Sequence, residues 1–398
     1  MPLNHFVETH QDSWFDRLKE SIKSVATGAF MFLIAFPILF FNESNAVKTS
    51  QGLSEGAGSV VKASADQVSP ANDGKLVHVT GQVKVEPPPT DVDFGVSAPA
   101  VKLRRVVEMY QWKEYQKSEK SKNTGGSSTT TTTYDYKQEW SSDVIKSKDF
   151  RIPSGHVNPE KMPFESETIK AESVTVGAFQ LSPELADKMD KFEALPANET
   201  VLSQMPAALR QYAKVSNGAV YYGKNPNSPQ IGDMRISFEI IKPAVVSIVA
   251  KQSQGKLAVF QTSSGSDIAL LQVGTVTPEA MFQSAMSSSA AATWGLRLFG
   301  WLLMFGGIML VVKPLVTIAD VIPFLGSILE FGLSIFAAVI SATLSMFTIA
   351  LGWLFFRPMI GIALLFVTGL LAGGAVFMML RNRSARPAYP QQPQSVQY

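Results

Sequence analysis

The sequence predicts an α+β membrane protein: four transmembrane helices, one N-terminal and three C-terminal, and a large, mostly β domain on the extracytoplasmic or lumenal side. Three observations lead there. Of the 398 residues, 46% are hydrophobic and 17% charged, against about 25% charged in an ordinary soluble domain. The deficit sits at the two ends, where long uncharged runs occur, while roughly residues 43–290 hold the charges and turn formers. That middle stretch alternates apolar and polar residues with the period of two that a half-buried strand requires.

Residues 1–24 read as a cytosolic segment ending in an amphipathic interfacial helix. Ser13 is placed to cap it, with Asp16 three residues on. Trp14, Leu18, Ile22 and Val25 recur at helical spacing. Trp14, Phe15, Leu18, Lys19 and Lys23 are therefore expected at headgroup level, where rings and cations collect. The uncharged run 25–41 is the first span. A cleaved signal peptide is the competing reading, but the run lies far from Met1 and the following NESNAV lacks a small-x-small cleavage site.

The extramembrane domain occupies 42–293. Its clearest feature is VKLRRVVEMYQWKEYQ followed by TYDYKQEWSSDV, read as a long antiparallel hairpin with a low-complexity, mobile tip. Tyr110 and Trp112 share one face of the first strand; Tyr134, Tyr136 and Trp140 share one face of the second. This ladder serves either as packed core or as an interaction surface. Further strands are predicted in KLVHVTGQVKV, SVTVGAFQLS, AVYYG, DMRISFEII, AVVSIVAK and KLAVFQT, and helices in PELADKMDKFEAL and PEAMFQSAMSSSA.

The remaining spans are 294–316, 331–356 and 359–380, with 317–330 as an interfacial connection and 381–398 as a basic cytosolic tail. Arg357 and Pro358 separate the last two spans. Ser334, Ala338 and Ala342, and the pair Gly369 and Gly373, give small faces suited to close helix packing within one chain or between copies. Cations precede the first span at Arg17, Lys19 and Lys23 and follow the last at Arg381, Arg383 and Arg386, so both ends are expected in the cytosol. Lys48, Arg297 and Arg357 are exceptions to that bias. No acidic residue lies deep in a predicted span, which argues against a pump or coupled transporter.

The chain has no cysteine, which excludes disulfides, thiolate metal sites and cysteine nucleophiles. His5, His10, His78 and His156 are scattered and form no metal-ligand motif. No nucleophile elbow, phosphate-binding loop or dinucleotide fingerprint occurs, so no catalytic residue, cofactor or metal is expected. With a formal net charge of +2 and no basic stripe, nucleic acid is not an expected partner.

Several separated blocks then carry a resemblance: SWFDRL, NDGKLVHVTG, PAVKLRRVVEMYQWKEY, IGDMRISF, WGLRLFGW and GWLFFRP. In this order and spacing they resemble the LUMA (transmembrane protein 43) family, from about Trp14 to Leu380. The resemblance implies a four-span protein of the endoplasmic reticulum and inner nuclear membrane in animals, with relatives in the bacterial inner membrane. It also implies a lumenal or periplasmic domain and a non-enzymatic organiser of membrane protein complexes. The expected partners are membrane lipids, further copies of the chain and other membrane proteins. The rival reading is a lipid- or envelope-sensing module.

Overall fold

The computed structural model describes residues 4–356 and, beyond them, residues 362, 363, 366, 367, 369, 370, 373 and 374. Among these, three helices are long and apolar enough to cross a bilayer: α1 (Trp14–Ser59), α2 (Pro278–Ala319) and α3 (Pro323–Phe356). Each is longer than the apolar run that announces it. α1 joins the expected interfacial helix, the first span and the first part of the expected β domain. Ser13 caps it as predicted, its Oγ accepting from the Asp16 amide, and it ends where the Val60 amide donates back to Gly56. α2 joins the predicted PEAMFQSAMSSSA helix to the second span.

The expected connection 317–330 is mostly helical. Only 320–322 separate α2 from α3, because the apolar, helix-favouring residues on either side continue both helices and Pro323 supplies the starting φ of α3. Most of the fourth expected span, 359–380, and all of the 381–398 tail lie outside the described residues. The eight described residues between 362 and 374 are helical and exposed.

The chain divides into two compact units. One holds the residues up to Arg17 and Lys48–Ser289; the other holds Leu18–Val47 and the chain from Ala290 on. The first is the β domain, built on two sheets. The first sheet runs β1 (His5–Asp12), β5 (Ser128–Ser141), β4 (Lys102–Lys122), β12 (Met234–Ile241), β11 (Ala219–Tyr222) and β10 (Ala213–Ser216). β6 (Glu167–Lys170) adds to β4, and β9 (Glu193–Leu195) to β12. The second runs β15 (Leu270–Val273), β13 (Val245–Ser253), β14 (Lys256–Ala258), β8 (Phe179–Leu181), β7 (Val174–Val176), β3 (Leu76–Val85) and β2 (Val61–Lys62), with β13 also paired to β3.

Alternation explains the first sheet. Leu103, Val107 and Met109 of β4 and Met234, Ile236, Phe238 and Ile240 of β12 all turn to one core, which Phe94, Leu202 and Met205 complete. Each such large side chain contributes about 1.5–3 kcal/mol through burial. β13 is buried on both faces, so it reads as a continuous apolar run: Val246, Ile248 and Ala250 face one core, Val249 another.

The hairpin forms as predicted, but its tip does not. β4 and β5 stay paired out to Lys122 and Ser128, leaving only 123–127 as the turn. The threonine run expected to be mobile is strand, since β-branched Thr favours extended backbone. Its outer edge is taken by β1.

In the second unit, α1 and α2 approach closely enough for reciprocal glycine contacts. A Cβ on Gly28 would lie 2.6 Å from the Gly307 carbonyl oxygen, and one on Gly307 would lie 2.7 Å from that of Gly28. Ala35, Leu39 and Met304 form a small core, with Phe32, Phe36 and Leu344 around it. The buried small-residue seam of α3 is Ala337, Ser341, Ser345 and Thr348. The predicted face of Ser334, Ala338 and Ala342 lies beside it and is half-buried. A Cβ added to Gly369 or to Gly373 would meet nothing within 4 Å among the described residues.

Candidate functional site

Register brings the five predicted aromatic residues onto one face of the hairpin. Tyr110 stands opposite Trp140, Trp112 opposite Gln138, Glu114 opposite Tyr136 and Gln116 opposite Tyr134. The structure then divides them, because the segment 143–158 folds over only part of that face.

Under this segment Tyr136 is core, and Trp112 is half-buried. Tyr136 is buried, with the His156 ring stacked on it at 4.0 Å and Phe150 at 5.8 Å. Trp112 meets His156 edge-on at 4.8 Å. The Tyr136 hydroxyl donates to Glu114 (2.6 Å) and accepts from the Ile152 amide (2.9 Å). Asn158 fixes the segment to β4, accepting from the Trp112 amide at 2.7 Å and donating to its carbonyl at 2.8 Å. His156 is fully buried, with Nδ1 3.0 Å from the Ile152 carbonyl oxygen and Nε2 3.1 Å from Asn4 Oδ1. Tyr134 lies farther along, with Phe6 of β1 at 6.2 Å.

Burial, then the hydrogen bond to Glu114, pushes the Tyr136 phenol up to about 12. A group whose folded pKa is raised adds stability that is complete below its unfolded value and lost as pH climbs through the folded one. The hairpin should therefore lose stability between about pH 10 and 12. In unfolding titrations across that window, Tyr136→Phe should lose less than the parent protein; equal losses would show that Tyr136 is not the group responsible.

Beyond the segment the stripe stays open. Tyr110 and Trp140 pair at 5.2 Å, and Tyr221 of β11 meets Trp140 edge-on at 6.2 Å. The Arg235 guanidinium lies 4.8 Å from the Trp140 ring centre and is held by both oxygens of Glu108, at 2.5 and 2.9 Å. Burial and the Asp233 carboxylate 2.6 Å away raise the Tyr221 phenol. Trp140, Tyr221, Glu108 and Arg235 line a cavity of about 360 Å³ with Ser216 and Ser237. Flat rings and a fixed Arg–carboxylate pair are recognition chemistry.

A second cluster lies in the membrane unit and was not foreseen. Glu43 of α1 is buried and receives both arms of Arg297 from α2, each at 2.7 Å. The Trp353 indole of α3 donates to the same carboxylate. Arg297 also lies over the Trp294 ring at 4.6 Å and the Trp353 ring at 5.4 Å. Glu43 falls just past one apolar run and Arg297 just before another, so each reads alone as an ordinary flanking charge. The available signal was Arg297 itself, an exception to the charge bias that its partner explains.

The predicted interfacial residues divide too. The Trp14 ring packs on Gly126 at the hairpin tip, at a positive φ of 80° where an added Cβ would overlap it. Phe15 is 75% exposed, Lys19 is exposed, Leu18 is half-buried, and Lys23 pairs with Glu20 at 2.6 Å.

Residues 109–358 match the family model described as "Transmembrane protein 43". The human protein of that name is 36% identical over 389 residues, covering 95% of this chain and 94% of its own length. The mouse protein is 36% identical over 360 residues, 88% of each chain. A Drosophila melanogaster homologue is 29% identical over 350 residues, 85% of this chain and 90% of its own. No solved structure matches. With its apolar helices and β-rich domain, this chain is an integral membrane protein and belongs to the transmembrane protein 43 family.

Proposed function

We propose that the chain is a non-enzymatic membrane scaffold that organises membrane protein complexes through its β domain and by self-association. The observation that carries this reading is the open half of the aromatic stripe. Tyr110, Trp140 and Arg235 are half-exposed yet held rigid by sheet register and by the Glu108 pair. Residues of these types, held in place before binding, are those that dominate protein interfaces.

Chemical cross-linking in native membranes, followed by mass measurement of the solubilised protein, tests it. The parent chain should run as a multimer or with a stoichiometric protein partner. Tyr110→Ala/Trp140→Ala should weaken that association by about tenfold or more while leaving the fold intact. A strict monomer with bound lipid and no protein partner would sink the scaffold and favour a lipid-sensing role.

The proposed side of the β domain is lumenal or periplasmic, supported by the cations that follow the last apolar run. Asn198 and Asn42 both begin acceptor sequons. Asn198 is exposed, whereas Asn42 is buried and donates to the Thr293 carbonyl. In microsomes Asn198 should be glycosylated and Asn42 should not. An unmodified Asn198 in protease-accessible protein would reverse the orientation.

A further inference from the structure

We propose that the open face of the first sheet is a two-fold interface, at which the β domain of one copy lies face to face on that of a second. Such an interface presupposes the self-association of the scaffold reading and gives it a surface. Side chains alternate along β4 and β12, so those that do not enter the core stand together on the opposite face. There Arg104 lies opposite Glu239, Val106 opposite Ser237, and Glu108 opposite Arg235. All six are half-exposed.

The order of the charges selects the occupant. An antiparallel pair has a local two-fold axis normal to the sheet, here between Val106 and Ser237. It exchanges Arg104 with Arg235 and Glu108 with Glu239, so the four charges form a rectangle with like signs on each diagonal. Turned over onto itself about an axis along the strands, this pattern sets Arg104 against the partner's Glu239 and Glu108 against the partner's Arg235. Opposite charges meet at every corner, which is the self-complementarity that an isologous interface needs. The same axis lays the end holding Tyr110, Trp140 and Tyr221 on the matching end of the second copy. An axis across the strands would also pair charges, but it would set the aromatic end over the distant Arg104 end.

The groups are already held in place. Arg104 Nε donates to Glu239 at 2.8 Å, and its guanidinium lies 3.8 Å from the Phe192 ring centre. Arg235 is fixed between Glu108 and Trp140 in the same way. Each guanidinium bonds its own carboxylate through Nε and Nη2, and among the described residues neither Nη1 donates elsewhere. Both Arg104 bonds fall on Glu239 Oε2, so Oε1 remains to accept. A second copy brings these atoms to each other. The charges fix orientation, and the rings supply apolar contact.

Exchanging charges tests this while keeping every pair within the chain. The variant Arg104→Glu/Glu239→Arg/Glu108→Arg/Arg235→Glu inverts the rectangle, so it complements itself but repels the parent across the two-fold axis. Parent and variant full chains with different affinity tags are co-expressed, cross-linked in the membrane and purified through one tag. Each should self-associate, and mixed pairs should fall at least about tenfold below random pairing. Random mixing of self-associating chains would overturn this interface and leave self-association standing. A strict monomer would remove both. The variant must match the parent in far-UV circular dichroism. If it does not fold, Ser237→Cys decides, since the chain has no cysteine of its own. A bismaleimide spanning about 10 Å, the spacing of packed sheets, should link two Ser237→Cys copies. It should leave Lys256→Cys, exposed on the second sheet, unlinked. No linking at position 237, or equal linking at both positions, would overturn the interface.

Discussion

Arg297→Ala should destabilise the membrane unit by about 3–5 kcal/mol, because it strands Glu43 as an uncompensated buried carboxylate. The pair is enclosed: the Glu43 side chain is 1% exposed and that of Arg297 13%. The Trp353 indole would still donate to Glu43, but one neutral donor does not replace a bidentate cation. Thermal unfolding of the full chain in mild detergent reads the effect. Glu43→Gln/Arg297→Gln should recover much of the loss, since no charge is then left unpaired. A single variant as stable as the parent would mean that the carboxylate is protonated or solvated rather than paired. The cluster joins residues from three helices, so its failure should be cooperative.

A comparable loss, again about 3–5 kcal/mol, is expected for Arg105→Ala in the β domain. Arg105 is 4% exposed, and its guanidinium holds both oxygens of Asp91, which is 1% exposed, at 2.7 and 2.8 Å. It also donates to the Glu165 carbonyl (2.9 Å) and Glu167 (3.2 Å), so one side chain ties β4 to two loops and β6. Burial raises the Asp91 carboxyl even with the cation beside it, so removing the cation leaves that burial uncompensated. Denaturant unfolding followed by far-UV circular dichroism tests this. Asp91→Asn should cost less, because it leaves a cation that still reaches Glu167 and Asp93. If Asp91→Asn cost as much as Arg105→Ala, the loss would come from packing around Phe94 and not from an unpaired charge.

How legible the molecule was depended on whether a feature is periodic. β3, β4, β5, β12 and β13 were legible because alternation repeats over many residues. The apolar runs of α1, α2 and α3 were legible because membrane thickness sets a minimum length. Helix limits were not: α1 runs well beyond its apolar run at both ends, through polar residues and through Gly52 and Gly56, which local propensity does not favour in a helix. The threonine tip misled because low complexity resembles a loop, although threonine itself prefers strand.

The aromatic stripe shows the same division at the candidate site. Spacing alone placed Tyr110, Trp112, Tyr134, Tyr136 and Trp140 on one face, since side chains of a strand alternate whatever lies around it. Which of them remain open to a partner depended on where the segment 143–158 lies, and that rests on Asn158 and His156, which carry no periodic signal. The pairing of Glu43 with Arg297 joins residues more than 250 positions apart, and that of β1 with β5 joins residues more than 110 apart.

The sequence by itself therefore determined the class of molecule, its apolar helices, its β-rich domain and its family, because these follow from local pattern and composition. Tertiary structure alone decided which aromatics are core, which charges are paired and which strand closes the hairpin. Those outcomes depend on what packs against each group, and a buried charge or a strand edge is satisfied by partners that local sequence does not specify.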